Sequence, residues 1–206
     1  MSRSKLQIAA LITLVSLSWA CADPPTMVKN SAPPPSAPQA SPAQPSPQSQ
    51  SSAAGSGDLR LSAPNGWSSE PAASSMRVAQ YKLPRAQGDA EDASLVVYYF
   101  GQGQGGSVDA NLERWAGQMG QTVDKSHKQS MTVNGLAVTL LDVTGTYTGD
   151  MSPGSGAGQS KPNTRLRAAV IETPKGPYFL KLVGPVKTVG HWEQEFLSFV
   201  KSSEFK

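Results

Sequence analysis

Apolar residues in this chain form one continuous run near the start and a series of short blocks beyond residue 59. The run, residues 6–17, is too short for a stable membrane-spanning helix, which needs about 20 apolar residues. The blocks have other periods. From Leu59 a short strand leads into a Pro64-Asn65-Gly66 turn, after which Trp67 is expected to fold back on the core. Residues 76–83 alternate as a strand does, with Arg77, Ala79, Tyr81 and Leu83 on one face, and Pro84 ends them. Residues 85–93 are polar and acidic, a loop. Residues 94–100 are almost continuously apolar, which predicts a central strand covered on both faces.

The period then changes. Glycines at 101, 103, 105 and 106 break the strand, and Ser107 is placed to cap a helix. Val108, Leu112, Trp115, Ala116 and Met119 fall at helical spacing on one stripe, and Asn111, Arg114 and Gln118 on the opposite face. Residues 128–133 and 136–143 flank Asn134-Gly135, a strong two-residue hairpin signal. The chain continues through 145–147 into a Gly/Ser/Pro/Lys-rich stretch at 148–163, expected to be a long loop, either functional or simply disordered, with its lack of apolar anchors favouring disorder. A second hairpin is predicted from 165–172 and 178–183 around 174–177. A last helix is predicted over 188–203, with Trp192, Phe196, Phe199 and Val200 on one side. Short strand connections mean antiparallel pairing. The expected fold is α+β: a twisted, mostly antiparallel sheet packed with two amphipathic helices.

Composition changes the picture at the front of the chain. Arg3 and Lys5 precede the apolar run, and Ser18, Trp19, Ala20 and Cys21 close it, so residues 1–20 read as a secretory signal peptide. Cys21 is the single cysteine, so no intramolecular disulfide is available and the domain must stand on its core. Ala20-Cys21 after the apolar run resembles a bacterial lipobox, which implies cleavage before Cys21 and its acylation. Ser18 and Trp19 depart from that pattern. Residues 22–58 hold nine of the 17 prolines in a Pro/Ser/Ala/Gln texture. Such a segment lacks the apolar side chains to offset ordering entropy. Residues 21–58 are therefore expected to be a disordered tether with a reach on the order of 100 Å in polyproline form. Residues 59–206 are left as one domain. Taking Arg3 and Lys5 from the 18 basic residues leaves 16 against 15 acidic ones, so no basic footprint for nucleic acid remains.

The ordered motifs of the domain resemble the PsbP-like family, found among photosystem-associated extrinsic proteins and small bacterial lipoproteins. The matching residues are Pro64, Gly66 and Trp67 in the first turn, then Tyr99-Phe100 at a strand end. Gly105, Gly106, Asn111, Arg114, Trp115 and Gln118 follow along the helix, and residues 178–185 form an apolar hairpin strand before the C-terminal helix. The resemblance implies a PsbP-like fold used for binding and scaffolding more than for chemistry. It brings no uniform catalytic set.

Candidate chemistry is thin. Gly101, Gly103 and Gly106 match GxGxxG, whose helix-start N–H groups can hold a phosphate. A hairpin rather than a parallel strand follows, and the acidic residue expected at the end of the next strand, Asp142, comes much later, so a Gly-rich turn is expected instead. His127 and His191 are the two histidines. Neither has the neighbours of a zinc site or a nucleophile elbow, and no metal or cofactor is expected. Arg114 and Gln118, one turn apart, could brace a loop or bind a carboxylate. Asn111 shares their face. Lys181 alternates with Leu180 and Leu182, beside Phe179 and Val183, and would be a ligand contact if that face borders a groove.

These residues predict a non-catalytic binding or scaffolding module of the bacterial cell envelope. It would be exported, anchored to the membrane by lipid at Cys21 and facing the periplasm or exterior, with an envelope protein or assembly as its partner. A small-ligand binder with a groove between the sheet and the 107–120 helix is the second expectation, and an envelope hydrolase the third.

Overall fold

The computed structural model describes residues 58–149 and 160–206 and the backbone of 53–54. Residues 1–20, read above as a signal peptide, Cys21 and most of the segment read as a tether lie outside the described residues. A seven-stranded sheet forms the body. Its strands are β3 (Ser68–Glu70), β4 (Arg77–Leu83), β5 (Ala93–Tyr99), β6 (His127–Val133), β7 (Leu136–Tyr147), β8 (Lys161–Glu172) and β9 (Tyr178–Pro185). Their spatial order is β3-β4-β5-β9-β8-β7-β6, and every ladder is antiparallel. A small second sheet pairs β2 (Leu59–Ser62) with β1 (Ala53–Ala54) and β10 (Glu204–Phe205). The helices are α1 (Val108–Gln118), α2 (Val186–His191) and α3 (Glu193–Lys201). The fold is α+β, as the hydrophobic pattern predicts. Among the described residues no helix is long and apolar enough to cross a membrane.

The sheet has a core on each face. On one, Tyr81, Leu95, Val97, Leu140, Ile171 and Leu180 pack against α2, α3 and β2 through Val189, Phe196, Phe199 and Leu59. Trp67 joins this core by a tilted contact with Tyr81 and an edge contact with Phe199, at 5.7 and 5.2 Å between ring centroids. On the other face, Leu141, Val143, Leu166, Ala168, Val170 and Phe179 meet Leu112, Trp115 and Met119 of α1. Alternation along the strands sorts side chains between the two faces.

Four features depart from the sequence-based expectation. The last helix is two helices, broken at Trp192. The Trp192 indole N–H donates to the Pro84 carbonyl at 2.8 Å, and its ring lies 3.0 Å from where a Cβ on Gly66 would stand. Anchoring that ring turns the chain. Arg77 does not share a face with Ala79, Tyr81 and Leu83. A register shift between Arg77 and Ala79 opposes Arg77 to Tyr98 and Ala79 to Val97, so Arg77 points to the α1 side. Strand β8 begins at Lys161, inside the expected 148–163 loop, because the end of β7 is long enough to pair with it, Tyr147 opposite Lys161. Residues 150–159 of that loop lie outside the described residues. Ala53–Ala54, read as tether, pairs with β2.

Close packing fixes α1 on the sheet. A Cβ on Gly145 of β7 would stand 2.1 Å from the Met119 carbonyl oxygen. One residue back, the Gln118 carbonyl accepts from the Thr148 amide at 2.9 Å. Backbone cannot yield there as a flexible side chain could. Substituting Gly145→Ala is expected to destabilise the domain by about 1–3 kcal/mol. Denaturant unfolding checks this, and Gly117→Ala, with open space around its Cβ, is the matched control.

Candidate functional site

A single helix about 10 Å across cannot cover a sheet roughly 30 Å wide. Helix α1 lies over β7 and β8, and the uncovered part of that face opens as a cleft of ≈ 700 Å3. Strand β4 contributes Arg77, β5 Tyr98, β9 Phe179 and Lys181, and α1 Arg114, Trp115, Gly117 and Gln118. Phe100, Met76 and Ser74 complete one wall, and Thr148 and Gly149 another. A smaller recess of ≈ 260 Å3 shares Arg77, Tyr98 and Lys181 and runs on along β5 and β9 past Val96 and Val183.

The floor is a chain of aromatic contacts. Tyr98 stacks on Phe100 at 6.1 Å with ring planes 3° apart. Phe100 meets Phe179 edge-on at 5.7 Å, and Phe179 meets Trp115 at 6.3 Å. Met76, half exposed at 50%, sits on the rim. The Gly-rich turn makes this packing possible. Gly105 has φ +87°, and a Cβ there would stand 2.6 Å from Phe179 and 2.9 Å from Phe100.

Three of the sequence-predicted binding residues meet in the cleft: Arg114, Gln118 and Lys181. Lys181 is 6% exposed, and its Nζ donates to Gln118 Oε1 at 2.7 Å and to the Tyr147 hydroxyl at 3.3 Å. It also lies over the Tyr147 ring, 5.2 Å from the centroid. The fourth, Asn111, does not line the cleft. It is 2% exposed beneath Arg114, a correction to its expected place on the open face. Its Nδ2 donates to the Gly105 and Ser107 carbonyls at 2.8 and 2.9 Å, and its Oδ1 accepts from Arg114 Nη2 at 2.6 Å. Asn111 thus fastens the glycine turn to the helix and aims the guanidinium.

Arg77, Tyr98 and Phe100 are cleft residues that sequence reasoning did not single out. The bulge in β4 carries Arg77 to this side, and no sequence period marks it. Arg77 lies over the Tyr98 ring at 5.7 Å and donates to Gln80 Oε1 at 3.0 Å, and Gln80 in turn donates to Glu70 at 2.8 Å. His127 and His191 are not among the residues lining the cleft. The GxGxxG glycines do not open a parallel βαβ unit, since every strand pairing is antiparallel. The first turn of α1 is already served by the Ser107 hydroxyl, which accepts from the Ala110 amide at 3.2 Å, and by Asp109, paired with Lys128 at 3.0 Å. Among the described residues no three metal-ligating side chains come together.

The opposite face handles its arginines differently. Arg165 and Arg167 of β8 are paired with Asp142 of β7 and Glu193 of α3. The hydrogen bond to Asp142 raises the Arg165 pKa further above its ordinary value, against an opposing effect of burial. These pairs pin the first turn of α3 to the sheet.

No family model matches the chain, and no curated protein matches it. Among solved structures it is similar to a protein of unknown function, PA94, from Pseudomonas aeruginosa, at 18% identity over 69% of this chain and 88% of that one, with a TM-score of 0.38. It is also similar to LpqN of Mycobacterium tuberculosis, involved in cell envelope biogenesis, at 13% identity over 72% and 83% of the two chains, with a TM-score of 0.45. A cyanobacterial PsbP from Synechocystis matches at 10% identity over 72% and 87%, also with a TM-score of 0.45. At these identities and scores, no residue role and no activity passes from those proteins to this chain.

Removing the Asn111 side chain takes the donor from the Gly105 carbonyl and the acceptor from Arg114, while the Ser107 carbonyl keeps the backbone N–H of residue 111. Asn111→Ala is expected to cost about 1–3 kcal/mol in unfolding free energy. Hydrogen exchange checks its location: protection should fall first at residues 105–112.

Proposed function

We propose that this chain is an exported, lipid-anchored module of the cell envelope that binds a ligand in the cleft beside α1 and performs no chemistry on it. The observation that carries the reading is the cleft itself. It gathers side chains from β4, β5, β9 and α1 around ≈ 700 Å3, within the range of small-molecule sites. An apolar aromatic floor with a few converging polar groups is the usual make-up of such sites. The helix that walls it is held at both ends, by Asn111 at the glycine turn and by Gly145 and Thr148 at β7, so the cavity is built in advance of binding.

The address rests on the leader and on Cys21. Acylation of Cys21 would anchor the chain, and the Pro/Ser/Ala/Gln stretch would hold the domain away from the lipid surface. Cys21→Ser is expected to release the exported protein from the membrane fraction. Membrane retention of that variant equal to the wild type would overturn the anchor.

Gly117 offers a direct test of the cleft. It lines the cavity with no atom within 4 Å of a Cβ built on it, so Gly117→Trp starts from open space and directs its bulk at the cleft. Small molecules extracted from envelope fractions should raise the melting temperature of the wild-type protein. A ligand at 100 times its dissociation constant adds about 2.7 kcal/mol. Gly117→Trp should fold and show no such rise. An envelope protein retained equally by both forms, with no small-molecule shift in either, would replace this reading with a scaffold.

A further inference from the structure

We infer that the ligand of the cleft is an anionic amphiphile, with a carboxylate or phosphate group held by Arg77 and Arg114 and an apolar body on the aromatic floor. This rests on the cleft being the binding site. Among the described residues every charged side chain lining it is cationic, namely Arg77, Arg114 and Lys181. The chain beyond residue 20 is otherwise nearly balanced in charge. Cations gathered in a recess with low-dielectric walls attract anions and hold them there.

The partners of these arginines sharpen the inference. Arg165 and Arg167, on the other face, are met by two carboxylates. Arg114 and Arg77 are oriented instead by amide oxygens, Asn111 Oδ1 at 2.6 Å and Gln80 Oε1 at 3.0 Å. Neither forms an ion pair among the described residues. An amide acceptor fixes the direction of a guanidinium without cancelling its charge. The orientation of Asn111 is itself settled, because both its bonds to carbonyls need the N–H end. A guanidinium has five N–H donors in a planar fork suited to carboxylate and phosphate oxygens. Each cleft arginine engages one of them with its amide partner, so the rest of the fork is left for an anion. Tyr98, Phe100, Phe179 and Trp115 beside these forks give an apolar surface that a bare inorganic anion would leave unused.

Titration of the mature chain followed by calorimetry, with octanoate, octyl phosphate, octanol and inorganic phosphate as probes, tests this. Octanoate or octyl phosphate should bind at least about tenfold more tightly than octanol, the difference expected for one charge-assisted bond. Octyl phosphate should also exceed inorganic phosphate, and the tighter of the two amphiphiles names the headgroup. Arg77→Gln and Arg114→Gln should each weaken anion binding by about tenfold and leave octanol binding unchanged. Gln80→Glu, which does not line the cleft, should weaken it as well by neutralising Arg77. Equal affinity for octanol and octanoate, or arginine variants that bind anions as the wild type does, would overturn the inference. If none of the four probes binds while an envelope extract still gives a shift that Gly117→Trp abolishes, the cleft reading stands and the anionic ligand falls.

Discussion

A sheet of seven strands has two faces, and both expose apolar side chains that must be kept from water. On one face two short helices and a three-stranded sheet share the task. On the other a single helix of 11 residues does it alone. Such a helix is about 16 Å long and 10 Å wide, enough for β7 and β8 and too little for β4 and β5. The aromatic side chains left beyond its edge pack against one another instead, and the space above them becomes the cleft. The cavity is therefore a consequence of unequal coverage rather than of a gap in an otherwise closed core.

The position of α1 decides the size and lining of that space, and it is set by contacts with no slack. Gly145 brings the β7 backbone against Met119, and Gly105 brings the glycine turn against Phe100 and Phe179. Asn111 joins turn and helix by hydrogen bonds that a buried amide must make. What looks in the chain like a phosphate-binding fingerprint is a tight return from β5 into α1. Its glycines serve ring packing and positive φ angles.

Charge is distributed by face. Where α3 docks, arginines and acids neutralise one another, as buried charges must to offset their desolvation. In the cleft the arginines are held by neutral amides and by aromatic rings. The first arrangement fastens two elements together. The second keeps positive potential facing solvent at a concave surface, a disposition suited to recognition.

Local rules determined much of this protein from its sequence. Alternation and helical spacing place β4, β5, β7, β9 and the apolar stripe of α1, because a side chain's face follows from backbone period alone. Ser107 as cap and Asn134-Gly135 as turn are equally local, the latter through two positive φ angles. The meeting of Arg114, Gln118 and Lys181 was legible as far as their faces, though not their common cavity. Tertiary structure decided the rest. A bulge in β4 turned Arg77 to the α1 side, a buried hydrogen-bond demand drew Asn111 inward, and a docked indole split the last helix at Trp192. The bulge needs the neighbouring strand β5 and the indole needs Pro84, while Asn111 bonds only to its own turn and helix and is buried by the packing of that turn on the sheet. Their energies exist only once the sheet has assembled, and no local period encodes them.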